Sequence, residues 1–512
     1  MDAVMPQIKN IVFLMMENRS LDNLLGWLYS NSKPKHFYPA SNTKAYNGLI
    51  AGRYHNPAHS LTGVKQYPVV PIPDKHSKQR VPAYDPYEAM REAKHWNGVM
   101  NQLFGNQDMI KATPKKGSKA SMRGFLQDYY VRYMVDWQGL DILWTYTPAQ
   151  LPHINKLAHH YAVSDHWFSS VPTQTNPNRA FSICGTSLGR EANANLQAVE
   201  QYNVPTIFNS LAQAGKSWGL YYEDIWHDKK CFTEHTFPQI SKAKQGEVGS
   251  IEQFRKHAKN GSLPAFSYLE PKWGYGKGQF YVQGNDYHPP TKVAPGDAFL
   301  NDIYTAIRNG PQWKDTLFIV TFDEHGGTYD HIQPGWNAVN PDGIKGTKWG
   351  FDFELYGARV PTLLISPYVK PQTVFREPEG SKHSYDHTSF IKTLLLWAGV
   401  DPASAGLGKR VEVAPSFAGV LSDKPVNKSD VSLEAVAFTD IAMEQKDAPE
   451  PVSDQEPANM QSLDELFGGV SFSSVRDILN QNDNLDDIKT AVAAYRQDPA
   501  EFEARMREHA NG

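Results

Sequence analysis

The chain has 512 residues, a net charge of -4, 40% hydrophobic residues and 12% aromatic ones. That is ample apolar material for a large folded core, and it leaves no basic footprint for nucleic acid. Two cysteines, Cys184 and Cys231, exclude a disulfide framework and a cysteine-rich metal site.

The N-terminus, Met1-Asp2-Ala3-Val4-Met5-Pro6, lacks the basic and long apolar segments of a Sec signal peptide, and no apolar run is long enough to span a bilayer. The expectation is a soluble protein. It is cytoplasmic, or exported by a signal-independent route such as a contact-dependent toxin apparatus.

Ile8 to Met16 is an unbroken apolar run, which predicts a buried strand. It ends in Glu17-Asn18-Arg19-Ser20. A helix follows over Leu21 to Trp27, with Asn18 or Ser20 as its N-cap. Residues 30–86 are rich in Pro, Asn, Gly, Lys and His and predict a long insertion. Helices are expected over His95–Gly105, Gly124–Val135 and Pro148–His160, then a strand over Tyr161–Ser164.

Ser169 to Phe181 hands over from prolines and polar residues to a helix. Its N-terminus offers N–H groups and a favourable dipole to an anion. Thr175 and Arg179 are four apart and share a face if the segment is helical. A hydroxyl nucleophile with an arginine one turn on suits a phosphate or sulfate ester. The structural alternative is a Thr cap and a surface Arg.

A helix over Thr206–Ala214 and a strand over Trp218–Tyr222 come next. Residues 223–262 are polar and predict a second insertion. A strand over Leu263–Glu270 leads to the rigid loop Asn285-Asp286-Tyr287-His288-Pro289-Pro290, and Gly296–Asn309 is an amphipathic helix. The apolar, β-branched run Asp315–Val320 then enters Thr321-Phe322-Asp323-Glu324-His325-Gly326-Gly327, so a second strand ends in adjacent carboxylates. Arg359–Pro367 is one more buried strand. Asp386-His387-Thr388-Ser389 opens a helix through Trp397.

Repeated strand–loop–helix units predict an α/β fold with a largely parallel, helix-flanked sheet. Ligands bind at the carboxyl ends of such strands. The catalytic domain is expected over 1–440, an acidic, Pro-rich linker over 441–461 and a helical tail over 462–512.

The chemistry of these positions combines. Glu17, Asn18, Asp323 and Glu324 are hard oxygen ligands for a divalent metal ion, whose identity the residue types leave open. Thr175 is a hydroxyl that such a cation deprotonates and orients. Arg179 and helix N–H groups hold the non-reacting oxygens of a phosphoryl group. His288 protonates a leaving alkoxide. Together they describe metal-assisted phosphoryl transfer through a covalent intermediate.

Several segments occur in a familiar order: Met16 to Ser20, Asp85-Pro86 to Gly105, Trp167 to Arg179, Asn285 to Pro289, Asp323 to Gly327 with Asp330-His331, Arg359 to Pro367, and Asp386 to Ser389. In that order, over roughly residues 8 to 400, the chain resembles a family of bacterial phosphoesterases. The family includes phosphocholine-type phospholipases C and a respiratory-burst-inhibiting acid phosphatase. The resemblance implies an alkaline-phosphatase-like core and metal ligation by Glu17, Asn18, Asp323 and Glu324. It makes Thr175 both nucleophile and ligand, and His288 an active-site histidine. Arg179 and Asn178 lie in the shared Thr-Asn-Pro-Asn-Arg motif. Asp386 and His387 match a family motif, or serve as helix cap and scaffold. His325 and His331 orient ligands or satisfy core contacts. Some members carry a histidine where Glu88 stands. Glu88 then meets a cationic headgroup, or is an ordinary surface carboxylate.

The resemblance implies phosphatidylcholine-like lipids as substrates, cleaved to diacylglycerol and a phosphorylated headgroup, with peripheral membrane contact. The alternatives are an acid phosphatase acting on monoesters and a headgroup-binding module without turnover. Thr175-x-Pro-x-Arg179 also echoes the sulfatase pattern. Sulfatases convert Cys or Ser there to formylglycine, and threonine would give a ketone. A cofactor-independent phosphoglycerate mutase needs a fuller two-metal set.

Overall fold

The computed structural model describes residues 4–427 apart from 43–44, 61–62, 92–97, 107–109, 134–136, 194–200, 226–228 and 278–279. The chain divides into two compact units. All described residues fall in the unit Met1–Asn193 with Gln201–Ala437. The other unit, Ala194–Glu200 with Phe438–Gly512, lies outside them, as do the expected linker over 441–461 and tail over 462–512.

Nine strands form one sheet: β1 (Asn10–Met16), β2 (His36–Tyr38), β3 (Ala162–Ser164), β4 (Trp218–Tyr222), β5 (Gly246–Ser250), β6 (Phe266–Glu270), β7 (Thr316–Phe322), β8 (Thr362–Ile365) and β9 (Thr373–Phe375). Their spatial order is β2-β9-β3-β8-β7-β1-β6-β4-β5. Only β8 runs against the rest, pairing antiparallel with β7 and β3. The fold is thus α/β with a largely parallel sheet. β1 and β7 are buried at every position, as central strands covered on both faces must be. Helix α1 (Leu21–Leu25) follows β1, with Ser20 as its N-cap, its hydroxyl accepting from Asn23 N–H. Phe390, on a helix over His387–Trp397, stacks on Phe13 of β1 at 3.8 Å between ring centres.

The stretch 223–262 is built into the sheet instead of looping off it. It supplies edge strand β5 and a helix over Ile251–Asn260. An edge strand has one bare side, and β5 is mostly exposed, so no apolar alternation marks it in the sequence. Likewise 30–86 supplies β2 and an antiparallel hairpin, and buries Leu49, Ala58 and Val69 with Trp27, Val99, Leu103 and Phe125.

A buried ion cluster lies close in sequence to the ends of β1 and β7. Arg359 donates to Asp22 Oδ1 and Asp330 Oδ1, each at 2.9 Å. His331 Nδ1 meets Asp22 Oδ2 at 2.6 Å. Asp22 follows Glu17 by one turn of chain and Asp330 follows Glu324, so Arg359 ties the two loops together. His331 therefore belongs to this tie.

Asp141 gives a pH prediction. Burial pushes its carboxyl up to about 6, although Oδ2 accepts from Ala83 N–H at 2.6 Å. An unfolded Asp titrates near ~4. Between the two values the folded state keeps a proton that the unfolded state has lost, so stability falls as pH rises from ~4 to ~6. Asp141→Asn should remove that loss. Relative to wild type it should gain about 2–3 kcal/mol between pH 4 and pH 7, read from urea unfolding at each pH.

Candidate active site

Parallel pairing of β1 with β7 sets Met16 opposite Phe322. The residues that follow, Glu17-Asn18 and Asp323-Glu324, therefore leave the sheet side by side at its carboxyl edge. The two loops grip each other. Asn18 N–H donates to Asp323 Oδ1 at 3.0 Å, and Glu324 N–H donates to the same oxygen at 2.8 Å. Asn18 holds a positive φ of 47°, uncommon for a residue with a side chain.

Thr175 is the first residue of helix α2 (Thr175–Ile183), and Arg179 lies one turn on. Both reach Glu17 and divide its oxygens. Arg179 donates to Oε1, at 2.7 Å from Nε, while the Thr175 hydroxyl donates to Oε2 at 3.1 Å. Thr175 Oγ1 also lies 3.4 Å from Asn18 Oδ1. Arg179 is fully buried, 3.8 Å from Asp323 Oδ2, with its guanidinium over the Trp273 ring at 4.6 Å. Burial works against its charge, but Glu17, Tyr268 and Asp323 hold its pKa above the ordinary value. Asn178 is occupied with the backbone. Its amide bonds Val171, Thr173 and Gln174 and shapes the loop that presents Thr175.

His288 closes the other side. Its Nδ1–H donates to Pro289 O, which leaves Nε2 as an acceptor for Asn18 Nδ2 at 2.9 Å. Burial lowers its pKa, so the ring is neutral at rest. Glu88 is in the site and not on the surface. Its side chain is 12% exposed, and its Oε1 takes a hydrogen bond from Asn18 Nδ2 at 2.8 Å and lies 3.7 Å from His288 Nε2.

His325 lies behind Glu324, its Nδ1 3.4 Å from Glu324 Oε2. Its Nε2 meets Gln102 Oε1 at 2.7 Å, its edge meets Phe125, and burial pushes its pKa down to about 3. It is a neutral anchor for the turn. Asp386 is a helix cap, sharing a capping box with Ser389. His387 packs against the cage, with Nε2 donating to Asp323 O at 2.6 Å. Two participants carried no local signal. Asp286 accepts from Gly274 and His288 N–H groups and sits on Glu17 through its carbonyl, and burial pushes its carboxyl up to about 7. Trp273 covers Arg179 from a loop. Asp286 stood in the quoted loop motif, but only the fold shows that it faces inward.

The electrostatics describe a site short of positive charge. Glu17 and Asp323 flank the Arg179 guanidinium, Glu88 and Glu324 add two more carboxylates, and a second buried guanidinium, Arg19, interacts electrostatically with Glu88 and Asp286. Burial raises the Glu17 carboxyl well above the usual range against the pull of Arg179, with Asp323 and Asp286 adding repulsion. Burial also raises Glu324, with Glu88 and Asp323 repelling it. Asp323 Oδ2 and Glu324 Oε1 are buried with no hydrogen-bond partner among the described residues, and so is His387 Nδ1. Buried carboxylate oxygens are normally paired, so these two fit a cation. Among the described residues no three His, Cys, Asp or Glu side chains converge as a metal cluster. Glu17, Asp323 and Glu324 are thus not gathered as a ready-made cluster, and Asn18 Oδ1 and Thr175 Oγ1, 3.4 Å from each other, are further oxygens beside Glu17.

Gly326 and Gly327 make the turn that allows this approach, at φ of 60° and 63°. A Cβ on Gly326 would sit 2.0 Å from the Asn18 carbonyl oxygen, and one on Gly327 would sit 2.5 Å from Pro86. Gly326→Ala should therefore displace Asn18. Turnover should fall about a hundredfold, as for a misplacement of ~1 Å, with a loss of about 1–2 kcal/mol in unfolding free energy from the left-handed backbone. Steady-state kinetics and denaturant melts check both.

The sequence profile described as Phosphoesterase family matches residues 8–400. Non-specific phospholipase C1 of Arabidopsis thaliana is 34% identical over 395 residues, which cover 76% of this chain and 66% of that protein. The chain thus spans just under two thirds of that relative's length. Non-specific phospholipase C4 of the same plant is 33% identical, covering 82% of this chain and 72% of that protein. Phospholipase C B of Mycobacterium tuberculosis is 26% identical, covering 77% and 74%. A solved structure from Vibrio parahaemolyticus, of a protein in the alkaline phosphatase superfamily, overlaps with a TM-score of 0.33 at 14% identity. It covers 67% of this chain and 76% of that one, and so low an overlap adds nothing to the family match.

Proposed function

The chain belongs to the phosphoesterase family, and from that premise we propose that it hydrolyses phospholipid phosphodiesters in the manner of a phospholipase C, with Thr175 as nucleophile. The observation that carries this reading is the Thr175 hydroxyl held 3.1 Å from Glu17 Oε2, at a helix N-terminus, with buried Arg179 one turn on.

A divalent cation held by Glu17, Asn18, Thr175, Asp323 and Glu324 would lower the pKa of the hydroxyl and neutralise phosphoryl charge. The chain's own groups account for the rest. Thr175 Oγ1 bonds to phosphorus as the bond to the glycerol oxygen breaks, and the hydroxyl proton has Glu17 Oε2 as its acceptor. Arg179, rigid and permanently charged, steadies the Glu17 carboxylate and adds positive potential behind the phosphoryl group. The leaving oxygen takes its proton from His288 in the imidazolium form. Since Nε2 carries no proton at rest, His288, whose side chain is 14% exposed, must first take one from solvent. Water then breaks the Thr175–phosphorus bond and returns a proton to Nε2, and Thr175 recovers its own from Glu17.

The test compares p-nitrophenyl phosphorylcholine with p-nitrophenyl phosphate, with and without chelator. The diester should be turned over faster, and chelator should abolish its turnover until metal is restored. Faster monoester turnover would favour a phosphatase. Turnover of neither, with metal supplied, would leave a binding module.

A further inference from the structure

A cavity of about 110 Å³ lies beside the catalytic loops, walled by Met90, Met100, Trp336, Trp349 and Phe351. We propose that it receives the apolar arm of the phosphodiester, the part that leaves with the glycerol oxygen; this rests on the phospholipase C reading above.

The cavity is tied to the reacting centre on two sides. Met90 N–H donates to Thr173 Oγ1 at 3.1 Å. Thr173 is two residues before Thr175, and Met90 is two residues after Glu88. Two residues of chain span at most about 7 Å, which bounds the distance on each side. On the far wall a buried carboxylate fixes the turn that carries Trp349 and Phe351. Glu191 is 2% exposed and accepts from the N–H groups of Lys348, Trp349 and Phe351 at 2.6, 2.8 and 2.9 Å. Its own carbonyl takes the Thr173 hydroxyl at 2.6 Å. One residue, Thr173, therefore joins the cavity wall, the Glu191 clamp and the loop that presents the nucleophile.

The lining suits an alkyl chain. Thioethers adapt to irregular apolar shapes, and indole rings offer broad apolar faces with one polar end. Trp336 spends its N–H on Ser118 O at 2.9 Å, which leaves its ring carbons for the cavity. Charged groups also line the cavity: Lys116 and Glu354 form an exposed pair at 2.8 Å, and Arg91 and Asp352 stand beside the apolar side chains. The volume approaches that of the ~150 Å³ apolar cavities that admit benzene, enough for the first carbons of a chain.

Two variants test this. Trp349→Ala removes one wall. Thr113→Trp, at an exposed position on the cavity edge, fills the space without touching the core. Each is assayed on long-chain phosphatidylcholine in detergent micelles and on glycerophosphocholine, which has the same headgroup and phosphodiester without the chains. The expected result is a fall in kcat/KM of about tenfold or more on the lipid, the scale set by losing a methylene or two of apolar contact, with glycerophosphocholine changed by less than about twofold. Equal losses on both substrates, or no loss on the lipid, would overturn the proposal. Titration with decanol, followed by tryptophan fluorescence, reads the cavity without turnover. Wild type should respond with saturation and Thr113→Trp should bind more weakly. An inactive wild type that still binds decanol in this pattern would sink the catalytic reading and keep the cavity. An active wild type with no decanol response would sink the cavity.

Discussion

Thr175→Ala should lower kcat by about 10⁴-fold or more, the scale seen when a nucleophile is removed from a site whose other parts remain. The variant should fold normally. Among the described residues the Thr175 hydroxyl hydrogen-bonds to Glu17 and Asn18, and Glu17 keeps its pairing with Arg179 when that hydroxyl is removed. Thr175→Ser, which keeps a hydroxyl at the helix N-terminus, should retain measurable turnover. Acid-quenched wild type should carry a phosphoryl group on the peptide containing Thr175, and Thr175→Ala should carry none. Retained activity in Thr175→Ala would place the nucleophile elsewhere.

Glu324→Gln should separate stability from activity. Glu324 Oε2 accepts from Gly326 N–H at 2.7 Å, and a glutamine oxygen can keep that bond. The amide then replaces Oε1, a buried oxygen without a partner that faces like charge from Glu88 and Asp323. Without metal the variant should melt at or above the wild-type temperature, because a desolvated, repelled charge is gone. With metal at a hundredfold excess over Kd, wild type should gain about 3 kcal/mol from linkage, and the variant much less. Turnover of the variant should fall at least about a hundredfold, more than for loss of an outer-shell partner. Calorimetry with and without chelator, beside elemental analysis, checks the pair. A variant that gains as much as wild type on adding metal would remove Glu324 from the ligand set.

What the sequence made legible is local. Two apolar runs ending in Glu17-Asn18 and Asp323-Glu324 marked the strand ends, and the spacing of Thr175 and Arg179 marked a shared helix face. The structure sets Thr175 and Arg179 on the two oxygens of Glu17, and the backbone N–H groups of Asn18 and Glu324 on Asp323 Oδ1. Which strands neighbour each other is a property of the whole chain. Strands covered on both faces read alike in either direction, so the reversal of β8 left no mark. Glu88 stands in a polar loop without periodicity, and its inward position depends on Asn18 and His288, encoded far away. Asp386 was legible as a cap because Asp-x-x-Ser before an apolar run is a local signature. The contact of His387 with the Asp323 carbonyl was not.

The parallel pairing of β1 with β7 and β6 has a consequence for how the molecule is made. β1 is synthesised first yet sits mid-sheet, and its neighbours lie some 250 to 300 residues later in the chain. A nascent or truncated chain ending before β6 would present β1 with two bare edges, an apolar template for pairing with other chains. Closing such long loops before any reward makes folding slow. Recombinant fragments that stop short of Phe322 should therefore aggregate, and none should show partial activity. The halves of the cage meet only after both central strands have been delivered.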